Sequence, residues 1–413
     1  MKSFFLIPFL KMKRRAKAFF LLFLGFFFLC EFRSDGQKNS THFSSLKFAS
    51  WNLEHFMSQA KFEQWKSYCS LKNWQEDQNS PPEIPYCDAL DGRSFPDLRL
   101  VSLPLHDWES YLQKVQALKK TASKIDADIF AVQEVTDVEA LKLVFDSGVY
   151  DFFMSSYPHS QNLGFVVKKK WKPLVQFQGI DSFALEKPSA KKSNRLRPGV
   201  EMTIHLPQGK IAVLNLHLKS GCKNYRLDAP EFKKDWEKRK KKEIQQNCQT
   251  LRKQIPLVKD WIQSKKDQPF LLLGDFNRDF FWEFTQKFQY GQKTRLFGSD
   301  SLESENPITD KTKIGLVFFE WSAVPNTRLI LSRFDQKKKS KKNKNFCRFG
   351  DDHMIWNQKF VEFFRPKEAK KKFEYKNYAF PVQKIGYGPE NYGKDKATPS
   401  DHCVLFTEAA FDP

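Results

Sequence analysis

The stretch that most constrains the fold is Leu271–Asp279, where three leucines lead through Gly274 to Asp275, and Asn277 follows two residues later. A short apolar run that ends in glycine and polar residues is typical of a buried strand with polar groups at its carboxyl end. Alone the pattern is weak, because Asp-x-Asn also forms ordinary turns at strand ends. Its meaning depends on whether other strands end in the same way.

Four further segments with strand character carry polar side chains where the strand ends or begins. These side chains are Asn52, Glu134, His217, and the adjacent pair Asp401 and His402. Each one has a simpler interpretation, as a surface carboxylate, a satisfied strand histidine or a turn residue. Because strand ends on one side of a sheet lie close together, their joint occurrence predicts one shared polar site.

The side chains of this set suit a hard divalent cation. Carboxylate and amide oxygens are ligands that Mg²⁺ prefers, with Mn²⁺ or Ca²⁺ as alternatives. Histidines beside such an ion suit proton transfer or the stabilisation of negative charge. No Cys-x-x-Cys pair occurs, so a zinc site is not expected.

Short apolar strands alternate with helical patterns, which indicates an α/β protein with buried sheets. Residues 107–125 and 244–265 are predicted helices, and Pro256 is expected to kink or split the second one. Residues 201–218 predict a hairpin. Residues 57–106 are interpreted as an irregular insertion, and residues 279–345 as a poorly periodic stretch that ends in a solvated basic loop.

Residues 1–30 predict a targeting segment. A basic stretch at 11–17 precedes a twelve-residue apolar run ending at Cys30, which is shorter than the roughly 20 residues of a spanning helix. A membrane anchor and lipid attachment at Cys30 are the alternatives. Residues 31–45 are a polar tether. We therefore expect an exported protein, either secreted, periplasmic or at the cell surface, with membrane association through residues 1–30 or a lipidated Cys30.

Six cysteines follow Cys30. An even number of cysteines in an exported chain predicts disulfides. The expected pairs are Cys69–Cys87, Cys222–Cys248 and Cys347–Cys403.

The chain is strongly basic, with a formal net charge of +21 over 413 residues. Residues 1–30 contain six basic residues and no acidic residue, so the remainder carries +15. Such a body suits a polyanionic partner, either nucleic acid or an anionic membrane surface. The positive charge is explained equally well by the abundance of lysine throughout the chain, without any partner.

Five motifs, in this order, resemble those of the endonuclease/exonuclease/phosphatase superfamily, whose best-known member is deoxyribonuclease I. They are Trp51-Asn52, Gln133-Glu134, Asn215–Leu218, Gly274–Asn277 and Ser400–His402. Within that superfamily, residues 215–222 are most similar to bacterial exported nucleases. The resemblance implies a four-layer α/β sandwich with two packed mixed β-sheets flanked by helices. The catalytic domain would span 46–409, with insertions near 57–106 and 280–346.

The resemblance also implies a role for each site residue. The implied metal ligands are Glu134, Asn52 and Asp401. The implied catalytic residues are His217, Asp275, Asn277, Asp352 and His402. The implied phosphate contacts are Arg197 and Asn277. Asp352 would orient His402, with Asp351 as a rival. The acid that orients the first histidine has no clear counterpart, and Gln161 lies nearest by pattern.

The substrate expected from this resemblance is nucleic acid. We expect a monomeric, Mg²⁺-dependent endonuclease that hydrolyses DNA, and RNA as a second substrate, by in-line attack of water. One alternative is a phosphodiesterase of lipid head groups, as in sphingomyelinases, or a phosphomonoesterase. Another is a catalytically silent surface-binding protein. Basic stretches at 233–242 and 337–344 are candidates for phosphate contact, although solvated loops explain them more simply.

Overall fold

Two β-sheets pack face to face in the computed structural model. The structure describes residues 44–70, 81–86, 107–156, 158–185, 196–227, 232–280, 316–320, 328–332, 351–364, 383–385, 400 and 402–411. Residues Ser44–Pro413 form one unit. The predicted targeting segment, Cys30 and residues 31–43 of the predicted tether lie outside the described residues, as do Asp401 and the basic run at 337–344. Ser45, the last residue of the predicted tether, is the first residue of β1.

The part of the chain that the structure describes contains thirteen strands. They are β1 (Ser45–Phe56), β2 (Ile129–Val135), β3 (Tyr150–Met154), β4 (Asn162–Lys168), β5 (Val175–Ile180), β6 (Gly199–Leu206), β7 (Gly209–His217), β8 (Phe270–Asp275), β9 (Leu316–Glu320), β10 (Arg328–Ser332), β11 (Asp352–Asn357), β12 (Gln383–Ile385) and β13 (Val404–Ala410). The described helices are α1 (Gln59–Ser70), α2 (Trp108–Ile125), α3 (Val138–Val144), α4 (Asp235–Arg239), α5 (Lys241–Lys265) and α6 (Gln358–Phe364), with short 3-10 turns at Lys169–Leu174 and Asp181–Ala184.

Both sheets are mixed. The first has the order β12-β13-β1-β2-β4-β3, and the second has the order β5-β6-β7-β8-β11-β10-β9. The pairs β1–β2 and β7–β8 are parallel, whereas the other strand pairs are antiparallel. Helices α1, α2 and α3 supply core residues against the first sheet, and α5 packs against the second. The predicted class, two packed mixed sheets with flanking helices, is confirmed.

The strands at the centre of the sandwich are buried on both faces. Every residue of β2 and β8 is buried, as expected for strands with a second sheet on one side and helices on the other. Helix α2 buries Tyr111, Val115, Leu118 and Ala122, which recur at helical spacing. The pattern of apolar residues along these strands and helices therefore explains why the sheets are buried between the helices.

A hydrogen-bonded polar layer joins the two sheets inside this core. Gln133 of β2 donates from Nε2 to Oδ1 of Asn215 on β7 at 2.8 Å. Asn215 in turn donates to the carbonyl oxygens of Val132 at 3.0 Å and Gly164 at 2.9 Å. Buried amides without such partners would be costly. The contacts therefore set the position of β2 relative to β7.

Four expectations about local structure were wrong. Residues 59–70 form a helix, although residues 57–106 were expected to be irregular. The helix predicted at 244–265 begins at Lys241 and continues through Pro256 without a break. The charged residues 235–239 are helical rather than looped. Residues 316–320 and 328–332, within the stretch expected to lack periodicity, add two strands to the second sheet.

The cysteines agree with the predicted scheme where the described residues test it. The bond Cys222–Cys248 is present and ties the loop after β7 to α5. Cys69 and Cys403 are also in disulfide bonds. Their expected partners, Cys87 and Cys347, lie outside the described residues, so those two pairings remain predictions.

Among the described residues, no helix combines the length and the apolar character needed to cross a membrane.

Gly274 is required by the close approach of β8 to β7. Its φ is +130°, and an added Cβ would overlap the carbonyl oxygen of Leu216. We expect Gly274→Ala to lower the free energy of unfolding by at least about 2 kcal/mol, measured by denaturant titration. The matched control is Gly179→Ala in β5, whose Cβ would meet only Asp181 Oδ1 at 3.7 Å. Equal stabilities of the two variants would contradict this requirement.

Candidate active site

The register of the sheets brings the sequence-predicted side chains to one edge of the sandwich. His217, at the end of β7, is the Cα partner of Asp275, at the end of β8. Asp275 is also the partner of Asp352, which begins the antiparallel strand β11. Asn52 pairs with Gln133, next to Glu134, across β1 and β2. The side chains converge because the parallel strands end at this edge of the sandwich and the antiparallel strand β11 begins at the same edge.

Asn52 connects the two buried carboxylates at the centre of the site. Its Nδ2 donates to Glu134 Oε1 at 3.1 Å and to Asp275 Oδ2 at 3.0 Å. Its Oδ1 accepts from the backbone N–H of Glu54 at 2.9 Å. In this arrangement the amide orients Glu134 and Asp275. The role of Asn52 as a metal ligand remains a prediction.

The two predicted histidines both lie close to one carboxylate oxygen of Asp275. His217 Nε2 is 3.3 Å from Asp275 Oδ2 and 3.6 Å from Glu134 Oε1. His402 Nε2 is 3.7 Å from the same oxygen of Asp275. His402 Nδ1 lies 2.8 Å from Asp352 Oδ2, so the predicted pairing is present. The rival Asp351 instead forms an ion pair with Lys223 at 2.8 Å.

His217 differs from His402 in having no orienting acid among the described residues. Its Nδ1 is buried without a hydrogen-bond partner. The Gln161 side chain makes no described contact with His217, and its backbone N–H donates to His159 Nδ1. Burial, and then the charge of Arg197, lower the pKa of His217 well below its usual range. The ring is therefore neutral near pH 7.

Arg197 and Asn277 meet at one backbone carbonyl. Arg197 Nη2 donates to Leu218 O at 2.6 Å, and Asn277 Nδ2 donates to the same oxygen at 3.0 Å. Arg197 Nε is buried and has no partner among the described residues. Burial lowers the pKa of Arg197, and the charges of Glu134 and Asp275 oppose that shift. A guanidinium stays charged in proteins, so it supplies fixed positive charge near the carboxylates.

Two site residues have left-handed backbone conformations without being glycine. The φ of Glu134 is +59° and that of Asn277 is +51°. Hydrogen bonds hold each in place. Glu134 Oε2 accepts from the backbone N–H of His55 at 3.1 Å, and the backbone N–H of Asn277 donates to Asp275 Oδ1 at 2.8 Å. Such outliers are concentrated at functional sites.

Several contributing residues have no role assigned in the sequence-based prediction. His55 Nε2 lies 3.5 Å from Glu134 Oε2. Ser400 Oγ donates to Asn52 O at 2.7 Å and accepts from His402 N–H at 3.1 Å, which connects the last strand to the first. Arg278 is fully buried and donates to the carbonyls of Cys222 and Tyr225, both at 2.6 Å. Ser400 belongs to a motif that the sequence analysis quotes, whereas no sequence pattern marks His55 or Arg278.

The donor set fits a divalent cation. Two overlapping groups place their ligand atoms within 4.8 Å of one another, namely Glu134, His217 and Asp275, and Asp275, Asp352 and His402. Burial raises the pKa of Asp275 to about 8; His402 opposes this shift, whereas the neighbouring carboxylates Asp352, Asp351 and Glu134 add to it. A cation beside these buried carboxylates would offset the repulsion between them. Glu134 and Asp275 are the residues placed to hold it.

Comparisons with known proteins give low similarities. The chain matches no protein-family model and no curated protein sequence. It is similar to the crystal structure of a humanized D. rerio TDP2 with a TM-score of 0.41 and 12% identity, over 89% of this chain and 99% of that one. It is similar to ANGEL2, a 2′,3′-cyclic phosphatase, with a TM-score of 0.41 and 12% identity, over 88% of this chain and 94% of that one. It is similar to the human Nocturnin catalytic domain with a TM-score of 0.37 and 11% identity, over 89% of this chain and 94% of that one. Function must therefore be argued from the side chains of this chain.

We expect Mg²⁺ or Mn²⁺ to raise the melting temperature of the protein, and Glu134→Gln to reduce that rise. A ligand at 100 times its Kd stabilises the native state by about 2.7 kcal/mol. Replacement of a carboxylate oxygen by an amide nitrogen removes a ligand while the size of the side chain is kept. Glu139→Gln, on the exposed face of α3, is the matched control. If Glu134→Gln and the control are stabilised equally by the ion, the cation binds elsewhere.

Proposed function

We propose that this protein is a divalent-cation-dependent phosphodiesterase of the endonuclease/exonuclease/phosphatase type that hydrolyses nucleic acid. The observation that carries the proposal is the arrangement around Asp275, whose Oδ2 lies 3.3 Å from His217 Nε2 and 3.7 Å from His402 Nε2. His402 is backed by a carboxylate, whereas His217 Nδ1 has no hydrogen-bond partner among the described residues. The cation, when bound, would supply positive charge to a phosphate in the transition state.

Each side chain has a distinct part in this reaction. Asp352 contacts Nδ1 of His402, which leaves Nε2 directed at the site and favours positive charge on the ring. His402 is thus suited to hold a proton while Asp275 orients the attacking water. The neutral His217 is suited to hydrogen-bond a non-bridging phosphate oxygen. Asn277 and Arg197, anchored on Leu218 O, would position the phosphate.

The bond changes balance without a further reactant. The water oxygen forms a bond to phosphorus as the bond from phosphorus to the leaving ester oxygen breaks. One proton passes from water to a site residue, and the leaving oxygen receives one. His402 can give or take a proton at Nε2, and both directions use the same contact with Asp352.

Nucleic acid is favoured as the substrate by charge. The residues after position 30 carry a net charge of +15, and the described surface at 233–242 exposes a run of lysines. A polyanion would be attracted to such a surface. Export, through residues 1–30, is part of the same proposal and is motivated by the apolar run that ends at Cys30 and by the disulfide Cys222–Cys248.

The expected substrate range is tested by incubating the purified protein with plasmid DNA, RNA, sphingomyelin and a phosphomonoester, with Mg²⁺ and with chelator. We expect DNA to be cleaved, with RNA as the second substrate, and chelator to stop cleavage. Hydrolysis of the lipid or the monoester with intact nucleic acid would favour the alternative phosphoesterases. Absence of hydrolysis in every case would support a surface-binding protein.

The orienting role of Asp352 is tested against its neighbour. We expect Asp352→Asn to lower kcat by about 10²- to 10⁴-fold, because the amide neither stabilises a charged imidazole nor fixes its tautomer. Asp351→Asn removes the ion pair with Lys223 and one of the charges near Asp275 but leaves the contact between Asp352 and His402 intact, so it should retain kcat within about threefold. Similar losses in both variants, measured by initial rates on DNA, would assign Asp352 a purely structural role.

A further inference from the structure

An exposed tryptophan lies within a basic segment of the described surface. Trp236, on α4, is 49% exposed, and Val149 is the only other exposed large hydrophobic side chain among the described residues. Residues 232–242, called here the Trp236 segment, contain seven cationic and two acidic residues, a net charge of +5. All seven cationic residues are exposed. Exposure of an indole ring to water is unfavourable unless the ring has a partner.

The two acidic residues of the Trp236 segment are engaged locally. Glu237 accepts from the backbone N–H groups of Lys233 at 2.9 Å and Lys234 at 3.1 Å, which begins the helix. Asp235 forms an ion pair with Lys238 at 3.2 Å. These contacts order the backbone and keep the carboxylates close to their own helix. The outer surface of the segment is therefore dominated by the lysines, Arg239 and the indole ring.

A short chain of contacts connects the Trp236 segment to the candidate site. Arg278 directly follows Asn277 and donates to Tyr225 O at 2.6 Å. Burial, and then the charge of the nearby Glu237, which adjoins Trp236, raise the pKa of Tyr225. The rings of Tyr225 and Phe232 lie 6.1 Å apart, and the bond Cys222–Cys248 joins the same loop to α5. These contacts connect the Trp236 segment to the loop after β7 and to Arg278, which follows the site residue Asn277.

We propose that the Trp236 segment binds a single strand of the nucleic-acid substrate beside the candidate site, with Trp236 stacked on a base and the lysines on phosphates. The proposal rests on the proposed function and adds to it a strand-binding surface. Cationic side chains around an exposed aromatic ring are what sequence-tolerant single-strand binding requires. The segment would bind the nucleic-acid strand at nucleotides away from the phosphodiester bond that is cleaved.

An anionic membrane fits the same surface less well. A helix that lies in a membrane interface presents an apolar face of several residues. Helix α4 has five residues, and Trp236 is its one exposed large hydrophobic side chain. The remaining outward side chains of the segment are charged. This composition favours separate contacts with bases and phosphates over insertion among lipid chains.

Binding is measured by fluorescence anisotropy with a labelled oligothymidylate, in chelator so that the strand is not cleaved. We expect Trp236→Ala to weaken binding about five- to a hundredfold, and Trp236→Phe to stay within about threefold of the parent, because phenylalanine also stacks. A duplex of the same length should be much less affected. Since Trp236 is exposed, both variants should fold, and circular dichroism checks this.

The lysines are tested by salt dependence. The triple variant Lys238→Gln, Lys240→Gln and Lys242→Gln should reduce the slope of log Kobs against log salt by about 2, at about 0.7 for each lost phosphate contact. The charge-matched control replaces Lys119, Lys120 and Lys124 of α2, which are also exposed, with glutamine. An equal change of slope in the two triple variants would overturn the proposal.

Two further measurements distinguish this inference from the proposed function. Hydrolysis of thymidine 5′-(p-nitrophenyl phosphate) needs only the catalytic pocket, so its rate should be unchanged in Trp236→Ala. If the parent protein hydrolyses neither this ester nor DNA, the proposed function fails. If it hydrolyses both and the Trp236 and lysine variants bind and cleave single strands normally, only this inference fails. Loss of binding to phosphatidylglycerol vesicles with intact oligonucleotide binding would likewise overturn it and identify a membrane surface.

Discussion

The candidate site depends on the burial of two carboxylates that come from different sheets. Glu134 ends a strand of one sheet and Asp275 ends a strand of the other, and a single amide, Asn52 Nδ2, donates to both. Two anions in a protein interior repel each other strongly unless donors or cations surround them. Below them, the hydrogen bond between Gln133 and Asn215 connects the same two sheets. The sandwich is thus built so that neither carboxylate can move without disturbing both layers.

Much of this arrangement is predictable because it follows from local patterns. Apolar runs that end in polar residues predicted the central strands, and the parallel pairs β1–β2 and β7–β8 place their ends at one edge. The same reasoning predicted that Asn52, Glu134, His217, Asp275 and His402 would meet. The pairing of Asp352 with His402 came from a motif, and its geometry came from the register of β11 against β8.

The features that could not be predicted depend on contacts between distant parts of the chain. Pro256 was expected to kink or split its helix, and α5 is not split. The helix buries Leu251, Ile255 and Val258 around the proline, and this packing outweighs one lost hydrogen bond. Arg278 is fully buried against the loop after β7, although arginine is usually exposed. His55 became relevant only because its backbone turns around the Glu134 carboxylate. Pattern and spacing carry no information about such contacts.

The left-handed conformations of Glu134 and Asn277 favour the proposed chemistry of the site at the expense of the stability of the fold. Each such residue costs of the order of 1–3 kcal/mol relative to a relaxed backbone, and glycine would adopt the same φ at much lower cost. Drift in sequence towards a more robust fold would therefore remove these two side chains early, and with them the proposed chemistry. The sandwich thus has a built-in weakness at the edge where its polar groups converge.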